Sequence, residues 1–260
     1  MLIKGDCRKE VPKLIKNFKN KIQCILIDPP YNTKIDYVRY KDSWTESKWI
    51  SMMKSLLSKS YQLLNPNGVM YICIDENEYV QLKLVCIKIF GEDNVKTLIW
   101  KKVNKLFDKN RIEKNYKNIR VTHEYILMCF KNFNKTTLNK IYQPEYVKGK
   151  WIQKQTDLES ILDNMGTTSS AKDEIAEMFG KRESFSTPKP TKLFKELIRA
   201  CTNKHSIVLD YFAGSGTTGQ ATIELNKEDK GERQYILISN DEGGTFDSVL
   251  KGRIEYAGSK

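Results

Sequence analysis

The sequence predicts an α/β fold built on an open sheet, and three observations carry that prediction. Short apolar runs alternate with segments whose apolar residues recur at spacings of three and four, as when strands interleave with amphipathic helices. The run Ile25-Leu26-Ile27 goes straight into Asp28-Pro29-Pro30-Tyr31, a strand that stops abruptly on a stiff platform. The run Ile207-Val208-Leu209-Asp210 leads into Phe212-Ala213-Gly214-Ser215-Gly216-Thr217-Thr218 and then into a helical pattern. Both are junctions at strand ends, where open α/β sheets bind their ligands.

Taken in order, Leu2-Ile3 is a short strand ending at Gly5-Asp6-Cys7, and a helix follows through Val11, Leu14, Ile15 and Phe18. Cys24 to Ile27 is the strand that feeds the platform. Asn32 to Ser43 is polar and carries tyrosines without a clear period, which predicts a mobile loop over the site. Trp44 to Leu64 is a helix with Trp49, Met52, Met53, Leu56, Leu57 and Leu64 on its apolar side, Trp49, Met52 and Met53 reading as core residues, and Asn65-Pro66-Asn67-Gly68 should end it. Val69 to Ile74 is a strand, Glu76 to Phe90 a helix closed by Gly91, and Val95 to Trp100 another strand. His123 to Phe130 returns to strand character. Lys131 to Phe185 is the least regular part, with one weak helix from about Ala171 to Phe179. A helix from Thr191 to about Cys201 precedes the strand at Ile207, a helix to Leu225 follows the glycine loop, and Tyr235 to Ile238 is the last clear strand.

The totals set bounds. A chain of 260 residues with 40% hydrophobic content can form one large α/β domain with insertions, or two small ones. The net charge of +12 suits a polyanionic partner such as nucleic acid, the bland alternative being a lysine-rich solvated surface. The six cysteines form no C-x-x-C pair, and Cys24, Cys73 and Cys129 sit inside apolar runs. That is how reduced core cysteines look, which predicts an intracellular, cytoplasmic protein in a reducing compartment. With only His123 and His205, no metal centre is expected. No apolar run reaches the length of a membrane span, and the amino terminus lacks a signal-peptide pattern.

Each proline of the platform fixes its own φ and restrains the residue before it, so Asp28 and Pro29 are held extended. The platform offers a carboxylate, a carbonyl with no competing N–H beside it, and a flat ring. In the second junction the glycines let backbone approach a ligand, and the helix start offers unpaired N–H groups to a carboxylate or phosphate. No Gly-Lys-Ser/Thr follows, so it is not a P-loop, and the third glycine of a dinucleotide fingerprint is missing. A lone G-x-G is more often a tight turn than a site. What strengthens this one is Asn240-Asp241 at the end of the next strand, where a polar group can hold a ribose hydroxyl. A nucleoside with a carboxylate tail, S-adenosylmethionine, fits such a loop. Between the junctions, Lys101, Lys102, Lys105, Lys109, Arg111, Lys114, Lys117 and Arg120 stand against only Asp108 and Glu113, with Phe107, Asn110 and Tyr116 interleaved. A charge run is usually a solvated loop. Following a strand of an apparent catalytic sheet, this one suits contact with phosphates and bases.

Asp28-Pro29-Pro30-Tyr31 followed much later by Phe212-Ala213-Gly214-Ser215-Gly216-Thr217-Thr218 resembles the β-class amino-methyltransferases of DNA, in which the catalytic motif precedes the cofactor motif. Further matches resemble the modification subunits of type III restriction systems. They are Gly5-Asp6-Cys7, Ile27 to Thr33, Ile74 to Glu78, His123 to Leu127, Pro188 to Leu193 and Asp210-Tyr211-Phe212, so the likeness spans residues 2 to about 241. Such subunits are usually much longer, so a solitary or compact methyltransferase fits the motifs as well as a complete restriction system does.

The resemblance implies a Rossmann-like methyltransferase fold, a mixed seven-stranded sheet of permuted motif order with a small inserted recognition region. It divides the chain into a catalytic half at 1–130, an insert at 131–185 and a cofactor-binding half at 186–260. The strands at Ile207 and Tyr235 would lie beside the strand at Leu2, with the strand at Cys24 on the other side. Asp28, Pro29, Pro30 and Tyr31 would act on a flipped adenine. Asp28 and the Pro29 carbonyl would accept from its 6-amino group, and Tyr31 would stack on the ring. Asp6 would reach the cofactor adenine, Asn240 (or Asp241) the ribose and the Gly214–Thr217 loop the methionine end, with Pro190 closing over it. Cys7, Asp28, Asp210, Phe212, Ala213, Ser215 and Gly216 complete the cofactor set. Asn32, Lys34 and the basic run would meet DNA. The product would be S-adenosylhomocysteine, with no metal required. The partners implied are double-stranded DNA, a second copy of the chain and a helicase-nuclease restriction subunit. Cytosine-N4 transfer, more often associated with serine in place of Asp28, is the nearest rival. Methylation of a glutamine side chain or of RNA would put the cofactor loop first, and a silent DNA-binding module would not need Asp28, Tyr31 and both loop glycines. His123 reads as structural or phosphate-facing.

Overall fold

A computed structural model of the protein describes residues 1–34, 42–104 and 119–260. In chain order its elements are β1 (Leu2–Lys4), α1 (Cys7–Phe18), β2 (Ile22–Ile27), α2 (Glu46–Leu63), β3 (Leu64–Ile74), α3 (Tyr79–Phe90), β4 (Val95–Lys101) and β5 (His123–Phe130). There follow β6 (Ile141–Val147), β7 (Lys150–Thr156), β8 (Ile161–Leu162), α4 (Thr168–Phe179), α5 (Thr191–Cys201), β9 (Ile207–Asp210), α6 (Thr217–Asp229), β10 (Gln234–Ser239) and α7 (Lys251–Ser259).

The main sheet runs β1-β10-β9-β2-β3-β5-β4-β8. β1, β10, β9, β2 and β3 are mutually parallel, and β5 is antiparallel to both β3 and β4. The strand from the amino terminus therefore lies beside β10 and β9, with β2 beyond them, as the resemblance implies. Among the described residues the sheet has eight strands where seven were predicted. The extra one is β8, whose two residues pair with Ile99 and Trp100 of β4.

Both faces of the sheet are covered. Along β2 and β3 alternate side chains go to opposite sides, the period-two geometry of a strand. Ile25, Ile27, Met70, Ile72 and Ile74 pack under α1, α2 and α3 with Val11, Leu14, Trp49, Met53, Leu56 and Leu82. Cys24, Leu26, Val69, Tyr71 and Cys73 pack under α5 and α6 with Leu193, Phe194, Leu197, Ile198, Ala221 and Leu225. Burial on both faces is why these strands read as continuous apolar runs. Each aliphatic side chain so buried contributes about 1.5–3 kcal/mol. Among the described residues no helix is long and apolar enough to cross a membrane.

This arrangement fixes where a ligand can sit. From β2 the chain crosses through α2 to β3 on one side; from β9 it crosses through α6 to β10 on the other. The two neighbours β2 and β9 therefore form a topological switch point, and the crevice between their carboxyl ends is open.

Elsewhere the structure departs from expectation. Asn65-Pro66-Asn67-Gly68 does not separate a helix from a strand. It lies within β3, because Leu64 already pairs with Ile22 and the next pair is Cys24 with Val69, so the four residues bulge out between them. Proline ends the helix but tolerates extended backbone. α3 begins at Tyr79 and not Glu76, since Asp75 accepts the Asn77 N–H at 2.9 Å and turns the chain first. Residues 131–185 hold a hairpin of β6 and β7, closed by Lys148 and Gly149, both with positive φ. The carboxyl-terminal helix α7 was not anticipated.

Candidate active site

The carboxyl ends of the parallel strands open onto one cavity of about 650 Å3, well within the range of small-ligand sites. Asp28, Pro29, Pro30 and Tyr31 enter it from the end of β2. Asp210, Phe212, Ala213, Gly214, Ser215 and Thr217 enter it from the β9–α6 junction, Asp6 and Cys7 from the end of β1, and Asn240 from the end of β10. Two motifs far apart in sequence thus face one space.

The platform is braced from below. Trp49, fully buried on α2, donates its indole N–H to the Pro30 carbonyl at 2.8 Å. The chain leaves through Asn32 in a left-handed conformation, φ 58°. Asn32 was expected on DNA; the structure buries it instead. Its amide donates to Glu78 and accepts the Trp44 N–H at 2.8 Å, while its own N–H donates to Asp42 at 2.7 Å. A polar residue so saturated is a clamp on the platform. The Lys34 ammonium donates to the Trp44 carbonyl.

A buried charge cluster surrounds Asp28. The Lys189 ammonium, 7% exposed, donates to both Asp28 carboxylate oxygens at 2.9 and 2.8 Å and lies 3.4 Å from Glu124. It also stands 5.0 Å from the centre of the Tyr31 ring. The Tyr31 hydroxyl is 2.7 Å from Asp28 and 3.0 Å from Glu124, so its single proton serves one carboxylate at a time. Lys102 approaches the other oxygen of Glu124 at 3.2 Å. Burial raises the Asp28 carboxyl above its ordinary range, and Lys189 opposes that rise. Burial also pushes Glu124 upward, but the ammoniums of Lys189 and Lys102 outweigh it and hold Glu124 low. Burial alone would lower Lys189; the two carboxylates more than reverse this, so it stays charged. Neither Lys189 nor Glu124 was singled out from sequence. The signals were present as a lysine between two prolines and as the acid of His123-Glu124-Tyr125.

Around the glycine loop, Asp210 accepts the Phe212 N–H at 3.0 Å and the Thr218 hydroxyl at 2.5 Å, tying the strand end to the first turn of α6. Burial lifts its carboxyl from 3.8 to about 7. A carboxyl raised on folding gives its full stability below the unfolded value and loses it as pH rises through the folded one. Asp210→Asn should therefore flatten a decline in stability between about pH 4 and pH 7, read from urea unfolding at the two ends of that window. Gly214 and Gly216 have φ 46° and 86°, and the Gly216 N–H bonds back to the Ala213 carbonyl at 2.7 Å. Gly216 and Pro190 stand just behind the cavity wall and not on it. Gly216 caps α6 against Leu250, and Pro190 caps α5 against Gly166. Gly216→Ala should cost about 1–2 kcal/mol for the left-handed turn, measurable by denaturant unfolding, and loosen the loop.

At the opposite wall Asp6 caps α1 through the Arg8 N–H at 2.8 Å and holds the Arg8 guanidinium. Burial, helped by the charge of Asp6, pushes the Cys7 thiol up to about 12, so it is a neutral lining group. Asn240 and Asp241 are separated by the structure. Asn240 lines the cavity; Asp241 accepts the Phe246 N–H at 3.1 Å and pairs with Lys4 at 2.6 Å. Among the expected DNA contacts, Arg120 and Lys102 line the cavity, and Lys101 pairs with Asp163 at 3.0 Å. Lys105, Lys109, Arg111, Lys114 and Lys117 lie outside the described residues, as do 35–41 of the expected loop. Among the described residues no group of three or more His, Cys, Asp or Glu is placed to hold a metal ion.

Residues 22–243 match the model of a family described as DNA methylase. The chain is 26% identical over 96% of its length to the type III restriction-modification enzyme StyLTI Mod subunit of Salmonella typhimurium, covering 54% of that protein. It is 30% identical over 66% of its length to the EcoP15I Mod subunit of Escherichia coli, covering 29% of it. The chain thus spans between a quarter and three fifths of these relatives. It is also 25% identical to the DNA adenine methyltransferase YhdJ of Escherichia coli over 87% of this chain and 76% of that one. Among solved structures, the M1.HpyAVI–SAM complex has the same fold, with a TM-score of 0.64 at 20% identity over 98% of both chains. So does the cytosine-N4-specific PvuII DNA methyltransferase, with a TM-score of 0.63 at 13% identity over 99% of this chain and 90% of that one.

Proposed function

Since the chain belongs to the DNA methylase family, we propose that it transfers a methyl group from S-adenosylmethionine to the 6-amino group of an adenine flipped out of double-stranded DNA. The observation that carries this reading is the shared cavity, in which the Asp28–Tyr31 platform faces the Gly214–Thr217 loop across the β2/β9 switch point. The net charge of +12 and the named activities of the relatives support it.

The residues present fit the methyl donor. A loop kept open by two left-handed glycines, Asn240 on the adjoining wall and the neutral Cys7 thiol suit a nucleoside with an amino-acid tail. When bound, S-adenosylmethionine supplies an electrophilic methyl group. The protein supplies position and charge. A stacked base cannot reach Asp28, so the target must leave the duplex, and the Tyr31 ring gives it a face worth roughly 1–3 kcal/mol. An exocyclic amine is a poor nucleophile because its lone pair is delocalised into the ring. A carboxylate at Asp28 and the Pro29 carbonyl, accepting from its hydrogens, favour a more tetrahedral nitrogen with its lone pair available. Positioning of this kind is the main source of rate in a displacement.

In this reading residues 1–130 carry the catalytic half, 131–185 the recognition insert and 186–260 the cofactor half, with β1 crossing over to the cofactor side. The six free cysteines, five of them buried, fit work in a reducing cytoplasm. A restriction subunit is the protein partner that the Mod-subunit names of the relatives favour, and a second copy of the chain is a further partner in this reading.

The test is mass spectrometry of nucleosides from unmethylated DNA incubated with the protein and S-adenosylmethionine. N6-methyladenine is the expected product. N4-methylcytosine would keep the chemistry and overturn the base. No modified base, with the methyl donor still bound, would overturn the reading for this chain acting alone.

A further inference from the structure

We propose that Lys189 and Glu124 are opposed positioning residues, the buried ammonium holding Asp28 as a hydrogen-bond-accepting carboxylate and the second carboxylate limiting that hold. The inference rests on the reading of Asp28 as the acceptor of the target amine.

The geometry is that of a built charge cluster and not a chance surface contact. Lys189 touches both oxygens of Asp28 at 2.9 and 2.8 Å and Glu124 at 3.4 Å, and the exposures of Lys189 and Glu124 are 7% and 6%. Lys189 lies between Pro188 and Pro190 on the approach to α5, so its backbone is restrained, while Glu124 stands on β5, on the far side of β2 and β3. An acid in such a pocket tends to keep its proton. A protonated Asp28 would be a poor acceptor and could not offset positive charge growing on an amine. An ammonium in direct contact opposes that tendency.

The groups that face Asp28 come from every element around it. Lys189 approaches from the α5 side, Glu124 from β5, Tyr31 from the platform, the Cys73 thiol from β3 and Asp210 from β9. Lys189 is the cation among them. Lys102 acts at one remove, through Glu124. Two carboxylates so close, Glu124 buried and Asp28 about a quarter exposed, would each disfavour the other's charge; the lysine favours the ionised form of both.

The signs follow from Coulomb's law. Without the ammonium, the Asp28 carboxyl should hold its proton to higher pH. Without the Glu124 charge, it should lose its proton at lower pH. The experiment is a pH titration of the free protein, labelled with 13C at the aspartate carboxyl, with the Asp28 resonance assigned by its loss in Asp28→Asn. Lys189→Met should move the midpoint up, Lys189→Gln should do the same, and Glu124→Gln should move it down. Lys189→Arg, which keeps the charge, should restore it toward the wild-type value. Unfolding would return any buried carboxyl to the ordinary range, so a rise in Lys189→Met cannot come from a damaged fold. Midpoints that stay put, or that move together in Lys189→Met and Glu124→Gln, would overturn the inference. Methyl transfer assayed beside the titration keeps the two readings apart. Midpoints that move as expected in a protein that methylates no base would leave this inference standing and remove the proposed function. Midpoints that fail to move in an active enzyme would do the reverse.

Discussion

Asp28→Ala is expected to lower methyl transfer by about 10²–10³-fold or more, the usual effect of removing a preorganised group aimed at developing charge, while binding of S-adenosylmethionine survives. The substitution reaches the chemistry without reaching the fold. The Asp28 side chain ends in the cavity and is about a quarter exposed, whereas the platform is held by its two prolines, by the Trp49 bond to the Pro30 carbonyl and by the Asn32 clamp. None of those contacts uses the carboxylate. Its loss leaves the Lys189 ammonium beside Glu124, so no cation is stranded in the pocket. The glycine loop, on the other side of the switch point, keeps its own supports at Asp210 and Ser215. Single-turnover transfer and calorimetric titration with the methyl donor separate the two effects. Wild-type rates in the variant would remove Asp28 from the chemistry. Loss of donor binding along with the rate would mean that the two halves of the cavity are not independent.

The fold was legible because its local signals agree with one another. β2 and β9 are apolar on both faces, which marks central strands, and each ends in a sequence that cannot continue as a strand. Asp-Pro-Pro-Tyr stiffens one end and Gly-Ser-Gly bends the other. Two such ends suffice to predict a site, since an open sheet binds where adjacent crossovers part. Asn32 was misread for a related reason. A polar residue next to a site looks like a ligand contact until tertiary structure brings Glu78 and Trp44 onto it. The Asn65–Gly68 segment shows the same limit, for breaker residues say that a helix stops but not that the chain goes on as a bulged strand. The β6–β7 hairpin had a turn cue in Lys148-Gly149, but lysine is an uncommon first residue for a turn with both φ values positive, and the flanking strands are polar. Lys189 and Glu124 meet only because β5 inserts beside β3 and α5 packs over the opposite face. No spacing in the sequence encodes that contact.

The carboxyl-terminal helix carries a residue whose loss should be felt both in stability and in the glycine loop. Arg253 on α7 is fully buried. It donates to Gln220 at 2.6 Å, to the Ser215 hydroxyl at 2.9 Å, to Thr191 at 2.9 Å and to Glu174 at 3.2 Å. Four elements therefore meet on one guanidinium: the glycine loop, α6, the start of α5 and α4. Burial lowers its value to about 10, which still leaves it charged at neutral pH. Arg253→Met keeps much of the volume and removes every bond. Among the described residues Glu174 would then be a half-buried carboxylate with only Thr191 bonded to it, and breaking a buried pair from one side costs about 3–5 kcal/mol. For a chain of this size that corresponds to a fall in melting temperature on the order of 10 °C. Because Ser215 lines the cavity, affinity for the methyl donor should fall as well, whereas the Asp28 cluster, which Arg253 does not touch, should keep its titration unchanged. Adding Glu174→Gln should recover part of the lost stability, since it removes the unpaired charge and not the missing bonds. A double-mutant cycle would measure that recovery as a coupling of about 0.5–3 kcal/mol. A cycle with no coupling would mean that Glu174 is satisfied without Arg253, and the helix would then be anchored by packing alone.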